Sequence, residues 1–322
     1  MRSASPAPSQ YSVTSSIRAQ SYRLEFGRGL NNYSDVYQLP ADDEELERLD
    51  MQHVMFKVVM GKYPPPLVEI LSEVIPGEPK ACLDLGCGSG SWIMDVARDF
   101  PNCQAVAVDL VPMQAEDMPP NCRSEVDDIN LGMQHFYGDF DVVHTRLVSS
   151  GVRDYRAFID EIARVLRPKG LVEIVEFDFR CYDNDHKPIL SIPDAMEPPW
   201  LPRWFNLSNM AVRQRGGTPD ASNMLYAWFR QHPAFEDIVY REVWLPTSAF
   251  YQKGHKDFYA GTVMQKDIQA FLKSGRPLLL GSGLPEAYVD EVTQLAHDEV
   301  EAAQTVTFCR VESVYARKRE AF

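Results

Sequence analysis

Two periodicities alternate through the middle of this chain. Short runs of strand length occur at 81–85 (ACLDL), 105–109 (AVAVD), 122–126 (CRSEV), 140–144 (FDVVH) and 171–179 (LVEIVEFDF). Between them apolar residues recur every three or four positions. Trp92, Ile93, Val96, Ala97 and Phe100 form one stripe; Tyr155, Phe158, Ile159, Ile162, Val165 and Leu166 form another, which Arg167-Pro168-Lys169-Gly170 stops. Strands that alternate with helices pair in parallel, with a helix layer on each face. Two more strands, at 238–245 and 306–316, bring the expected sheet to seven, mostly parallel.

Helical spacing also marks the flanks. Pro40 and Asp42 open a helix over 42–61, because a proline followed by acids complements the positive end of a helix, and its acidic run is a solvated face. A second helix is expected at 65–74, ended by Pro76-Gly77. Residues 181–210 hold five prolines and two tryptophans without a clean period and read as an irregular apolar insertion, followed by a helix at 221–231. The stretch 247–304 reads as largely helical. The expected organisation is a flexible Ser/Pro/Ala-rich tail (1–22), an N-terminal helical cap (23–77), a cofactor-binding core (78–180), an insertion that returns to the sheet (181–246), a helical lid (247–304) and a last strand (305–322). This is a doubly wound, Rossmann-like α/β fold with a discontinuous, mainly helical cap.

Charge narrows the partners. With 46 acidic against 32 basic side chains the net charge is −14, so nucleic acid and anionic membrane surfaces are expected to repel the chain. Six cysteines, at 82, 87, 103, 122, 181 and 309, include no CxxC pair, which suits reduced thiols and predicts no metal site. No apolar run reaches the roughly 18 residues that span a bilayer, and the first residues lack the apolar core of a secretory signal, so a cytoplasmic protein is expected.

The candidate chemistry lies at the strand ends. Gly86, Gly88 and Gly90 form GxGxG at a strand-to-helix turn, where missing side chains let a ligand reach the backbone. A dinucleotide fingerprint needs a glycine where Ser91 stands, and its pyrophosphate would meet Asp84. A carboxylate there suits a cationic ligand instead. Asp109 ends the second strand, at the offset where an acid reaches ribose hydroxyls, and Asp127 and Asp128 follow the third, within reach of an adenine amino group. Each acid alone reads equally as a loop acid or helix cap. Together with the glycines they point into one crevice suited to S-adenosylmethionine, with Leu110 and Ile129 as adjoining cofactor-binding candidates.

The segments LDLGCGSG, VAVDL, EVDDIN and LRPKG resemble those of Rossmann-fold methyltransferases. More narrowly, YQLPADDEELERLDMQH, PPNCRSEVDD and the terminal strand after a helical insertion are similar to the fungal LaeA-like, UMTA-type methyltransferases, over about residues 30 to 320. The resemblance implies S-adenosylmethionine as cofactor. It also implies that the RLDMQH helix packs over the methionine end, with Arg48 toward the carboxylate and His53 or Gln52 bonding nearby; a half-buried helix histidine is the plainer reading of His53. Tyr33 and Tyr37 are either packing or a lid. Cys87 departs from a frequent threonine, at a place where backbone does the binding.

Methyl transfer is an in-line displacement, so holding the acceptor and excluding water matter most. His144, ending the fourth strand, is the first candidate base for a phenol, the alternative being a histidine packed beside the adenosine. Arg146 follows it. Glu176 and Asp178 share one side of a strand and either face the acceptor or hold the insertion. In the cap, Met196, Trp200, Trp204, Phe205 and Met210, then Phe250, Tyr251, His255, Phe258, Tyr259 and Met264, supply rings and thioethers. Positions 251, 255, 258 and 259 would share one helical face, either packing the cap or lining an acceptor pocket with His255 as a second base. The expected function is O-methylation of a small phenolic acceptor. A LaeA-like regulator acting through protein partners, or N- or C-methylation of a small metabolite, remain alternatives.

Overall fold

The computed structural model describes residues 20–113, 117–192 and 196–321; the expected tail lies almost wholly outside them. A hairpin comes first, β1 (Tyr22–Glu25) and β2 (Arg28–Asn31), followed by helix α1 (Asp43–Met60). The hairpin corrects the expected helical start of the cap at 23–77: Gly27, at φ 79°, makes the turn between two four-residue strands too short to show a period. Asp42 caps α1 by accepting from the Glu45 N–H, Asp43, Glu44 and Glu45 fill its first turn, and Gly61 at φ 90° ends it.

The core then runs α2 (Pro65–Ser72), β3 (Ala81–Leu85), α3 (Ser91–Asp99), β4 (Gln104–Asp109), β5 (Cys122–Val126), β6 (Phe140–Arg146), α4 (Tyr155–Val165) and β7 (Leu166–Phe177). It continues with α5 (Trp200–Gln214), α6 (Leu225–Gln231), β8 (Phe235–Pro246), α7 (Phe258–Ser274), α8 (Arg276–Gly281), α9 (Glu286–Ala302) and β9 (Phe308–Lys318). The sheet order is β5-β4-β3-β6-β7-β9-β8; the first five strands are parallel and β9 is antiparallel to both neighbours. Chain order reverses direction at β3 and β6, which opens a crevice at their carboxyl ends.

Three apolar clusters hold the layers. Leu67, Trp92, Ile93 and Val96 cover one sheet face, and Phe158, Ile162, Leu225 and Phe229 the other. The third belongs to the cap, where Phe205 and Phe271 meet Phe177 and Phe179 with ring centroids 6.3–6.4 Å apart and Trp204 packs on Phe271 at 5.4 Å.

Three further expectations are corrected, two in the cap and one in the sheet. Residues 181–210 include helix α5, whose buried Leu201, Trp204, Phe205, Ser208, Ala211 and Val212 keep helical spacing; its prolines lie before it or in its first turn, where no backbone hydrogen bond is lost. Tyr251, His255, Phe258 and Tyr259 do not share a helix face, because α7 begins only at Phe258 and Gly254, at φ 102°, makes a turn of the residues before it. Strand β7 begins at Leu166, five residues early: Leu166 pairs with Phe140 and Leu171 with Val142, and residues 167–170 bulge out between them. No helix among the described residues is long and apolar enough to cross a membrane.

Candidate active site

The crevice at the ends of β3 and β6 opens into a cavity of about 1480 Å³, the open solvent at its mouth included. Its floor begins with the glycine turn. Gly86, Gly88 and Gly90 all have positive φ, at 70°, 55° and 78°. A Cβ on Gly86 would come 2.5 Å from Val148 Cγ1, and one on Gly88 would come 2.8 Å from Leu49 Cδ1. Only glycine leaves the backbone open here. Gly86 and Gly88 line the cavity, whereas Gly90 caps α3 behind it, against Met113.

Parallel register brings the acids to one rim. Asp84, Asp109, Asp127 and Asp128, with Leu110 and Ile129, all line the cavity. Asp109 accepts from the Gly88 N–H at 2.8 Å, and burial pushes its carboxyl up to about 6 despite that bond. Asp128 caps the turn that follows by accepting from the Asn130 N–H at 3.0 Å, and Asn130 in turn bonds the Gly151 carbonyl at 2.8 Å. Asn130 closes the EVDDIN segment, but its place on the cavity emerges only from the fold.

His144 is placed by three contacts. It pairs with Asp84 in the β3–β6 register, its Nδ1 lies 2.8 Å from Asp84 Oδ1, and its ring stacks on Trp92 at 3.7 Å and 8°. A carboxylate only accepts, so Nδ1 carries the proton and Nε2 the lone pair. Burial lowers the His144 pKa, Asp84 opposing it, which leaves the ring neutral at pH 7.

Helix α1 forms the roof. Arg48 lines the cavity but is held by Glu45 at 2.6 Å and Asp267 of α7 at 2.7 Å, while Gln52 donates to Asp267 at 3.1 Å. This buried clasp ties α1 to α7. His53 lies behind the wall, 3.1 Å from Asp95 of α3. Tyr37 lines the cavity, whereas Tyr33 is exposed. Arg146 lines it too, over the ring of Phe56 at 5.0 Å.

The far wall is apolar: Met55, Phe56, Phe177, Phe179, Phe205, Met264 and Phe271. None of Met196, Trp200, Trp204, Tyr251, His255, Phe258 or Tyr259 lines it. Trp204 is fully buried in the cap core and Trp200 packs at that core's edge, while Met196 and Tyr259 are exposed. His255 stands on the surface, stacked on Tyr251 at 4.1 Å. Glu176 is also off the cavity. It is fully buried and accepts from the Val148 and Ser149 N–H groups and the Tyr155 hydroxyl, so it braces the loop after β6; burial raises its pKa to about 7. Asp178 is likewise buried, bonded to Tyr182 and Arg310. Period-two alternation at Phe177 and Phe179 was the available signal for the rings that do face the cavity. Among the described residues no cluster of His, Cys, Asp and Glu is arranged to hold a metal.

A family model described as a methyltransferase domain matches residues 52–215. The secondary metabolism regulator laeA of Coprinopsis cinerea is 47% identical over 302 residues, covering 93% of this chain and 74% of that protein. The chain belongs to the LaeA-like methyltransferase family. A protein-methionine methyltransferase laeA of Emericella nidulans is 27% identical to this LaeA-like chain, over 79% of the chain and 65% of the relative, so the chain spans about two thirds of that protein. Among solved structures, Haemonchus contortus phosphoethanolamine N-methyltransferase 2 in complex with S-adenosyl-L-methionine aligns over 84% of this chain and 57% of its own, at 16% identity and TM-score 0.45. Membership of a methyltransferase family makes S-adenosylmethionine the cofactor of the LaeA-like chain. The residues fit it: a glycine cradle that any Cβ would fill, and acids at three strand ends for hydroxyl, amino and cationic groups.

Proposed function

We propose that this protein serves secondary metabolism as a working methyltransferase, and that its acceptor is an uncharged group entering the phenyl-lined half of the cavity. The observation that carries this reading is the Asp84–His144 pair on the cavity wall, beside a chamber of Phe56, Phe177, Phe179, Phe205 and Phe271. S-adenosylmethionine, when bound, supplies an electrophilic methyl on a sulfonium. Asp84 holds the Nδ1–H, which leaves Nε2 to take the proton of a phenolic hydroxyl as the oxygen gains the methyl. The rings exclude water and stack on a flat acceptor without requiring a fixed polar partner.

A second reading has the thioether of a protein methionine in the same chamber. It is favoured by the name of the Emericella nidulans relative and by the chemistry of the wall, since rings and thioethers suit an uncharged thioether that has no proton to lose.

Label from methyl-labelled S-adenosylmethionine, followed into a phenol panel and into fungal protein extract, separates the two. With a hydroxyl acceptor, His144→Ala should lower kcat by about 100-fold and change S-adenosylhomocysteine affinity less than about threefold. With a thioether acceptor the same variant should keep its turnover and show no acid limb in its pH profile. Label in neither pool, from protein that binds the cofactor, would sink the enzymatic reading.

A further inference from the structure

All six cysteines are free thiols, and packing sorts them. Cys82, Cys103 and Cys122 share the apolar core under α2 and α3. In the strand register Ala105 of β4 stands between Cys82 and Cys122, which leaves those two a pair of strand spacings apart, about 9–10 Å. Cys87 stands in the glycine turn. Cys181 and Cys309, far apart in the chain, are the two that meet across a backbone bridge.

Strands β7 and β9 are antiparallel with Phe177 opposite Val311, and that register continued would set Phe179 opposite Cys309. The chain leaves it at Phe179, whose φ of 50° is left-handed, and returns at Tyr182, which bridges Phe308. Tyr182 and Phe308 exchange both backbone hydrogen bonds, at 2.8 and 2.9 Å. The neighbouring pair, Cys181 and Cys309, therefore takes the non-hydrogen-bonded position of an antiparallel bridge, where Cα atoms approach to about 4.5 Å and the two side chains rise on one face. A disulfide spans about 4.4–6.8 Å between Cα atoms, so this pair is set to close without backbone movement. Both thiols are buried in the cap core, and burial with the Cys309 thiol alongside pushes the Cys181 pKa up. Cys309 also lines the cavity, together with its neighbours Phe179, Leu245 and Val311, whereas Cys181 does not.

We propose that Cys181 and Cys309 are a redox pair on the apolar wall of the cavity, which a peroxide joins into a reversible disulfide. The Cys309 sulfur, reached through the cavity, attacks one peroxide oxygen; the O–O bond breaks, leaving a sulfenic acid and, with the thiol proton, one water. The Cys181 sulfur then displaces the hydroxyl: the S–S bond forms, the S–O bond breaks, and a second water leaves with the Cys181 proton. The two thiols give up two electrons and the peroxide takes them. Neither step requires S-adenosylmethionine or an acceptor. The new bond ties β9 to the segment just after Phe179 and so fixes that ring in the acceptor half, three strands from β3 and the glycine turn, roughly 14 Å across the sheet.

Mass spectrometry on the full chain, treated folded with hydrogen peroxide and then alkylated, tests it. The chain should lose about 2 Da and yield a linked Cys181–Cys309 peptide, and dithiothreitol should return all six thiols. Cys181→Ala should stop at the Cys309 sulfenic acid, a gain of about 16 Da that dimedone captures, and Cys309→Ala should give no linked peptide. Closing a loop of roughly 130 residues should also raise the urea midpoint of the oxidised chain, reversibly with dithiothreitol. A pair still reduced after exhaustive peroxide, in protein that keeps its circular dichroism, would overturn the assignment. So would a bond joining any other two cysteines, a bond that forms only in urea, or an oxidised chain that unfolds at lower urea than the reduced one.

Discussion

The two walls of the cavity are built by different rules. On the sheet wall, Asp84, Asp109 and Asp127 converge because β3, β4 and β5 are adjacent and parallel, so hydrogen-bond register places their carboxyl ends side by side. On the cap wall, Phe56, Phe205, Met264 and Phe271 come from three helices that are far apart in the chain, and no ladder aligns them. One wall is specified by local motif and pairing. The other depends on how rings pack, and small changes in that packing alter what the cavity admits.

The largest test of this contrast is Trp204→Ala. The indole is fully buried against Phe205 and Phe271, and its Nε1 donates to Thr293 at 3.2 Å. Its removal should cost about 3–5 kcal/mol in urea unfolding, while the affinity of the surviving fold for S-adenosylhomocysteine changes little. A loss under about 1 kcal/mol would mean that the cap is not one packed unit. Next is Asp109→Asn, which should weaken S-adenosylhomocysteine about tenfold by calorimetry. It carries a pH signature as well. The folded carboxyl sits at about 6 against 3.8 ordinarily, so the folded chain holds this proton more tightly. The stabilisation is full below about 3.8 and lost as pH rises through about 6. In cofactor-free protein, Asp109→Asn should therefore reduce the drop in Tm between about pH 4.5 and 7. An unaltered pH slope would contradict the burial assigned to this acid. The smallest effect is expected from His255→Ala, a surface residue: stability within about 0.5 kcal/mol and unchanged turnover. A large loss of turnover there would bring the 251–259 turn back to the site.

The sheet wall is legible in the residues themselves. Strands β3 to β6, the glycine turn and the acids behind it are contiguous signals, each carried by a short stretch of chain. Residue type misleads where burial decides the role. Glu176 has the chemistry of a catalytic carboxylate, yet its oxygen is taken by two backbone N–H groups and a tyrosine hydroxyl. Arg48 has the charge for a cofactor carboxylate, yet Asp267, from a helix near the other end of the chain, already occupies it. Trp204 and His255 carry rings suited to an acceptor pocket; one is core and the other is surface.

Alternating periodicity was enough to determine a doubly wound sheet, and a GxGxG turn with three strand-end acids to point to a cationic cofactor, because strand pairing repeats local order across the sheet. Which rings line the cavity, which histidine pairs with a strand-end acid and which arginine is already neutralised emerged only from packing. Those properties depend on what lies within a few ångströms in space, and in the cap those neighbours come from distant parts of the chain.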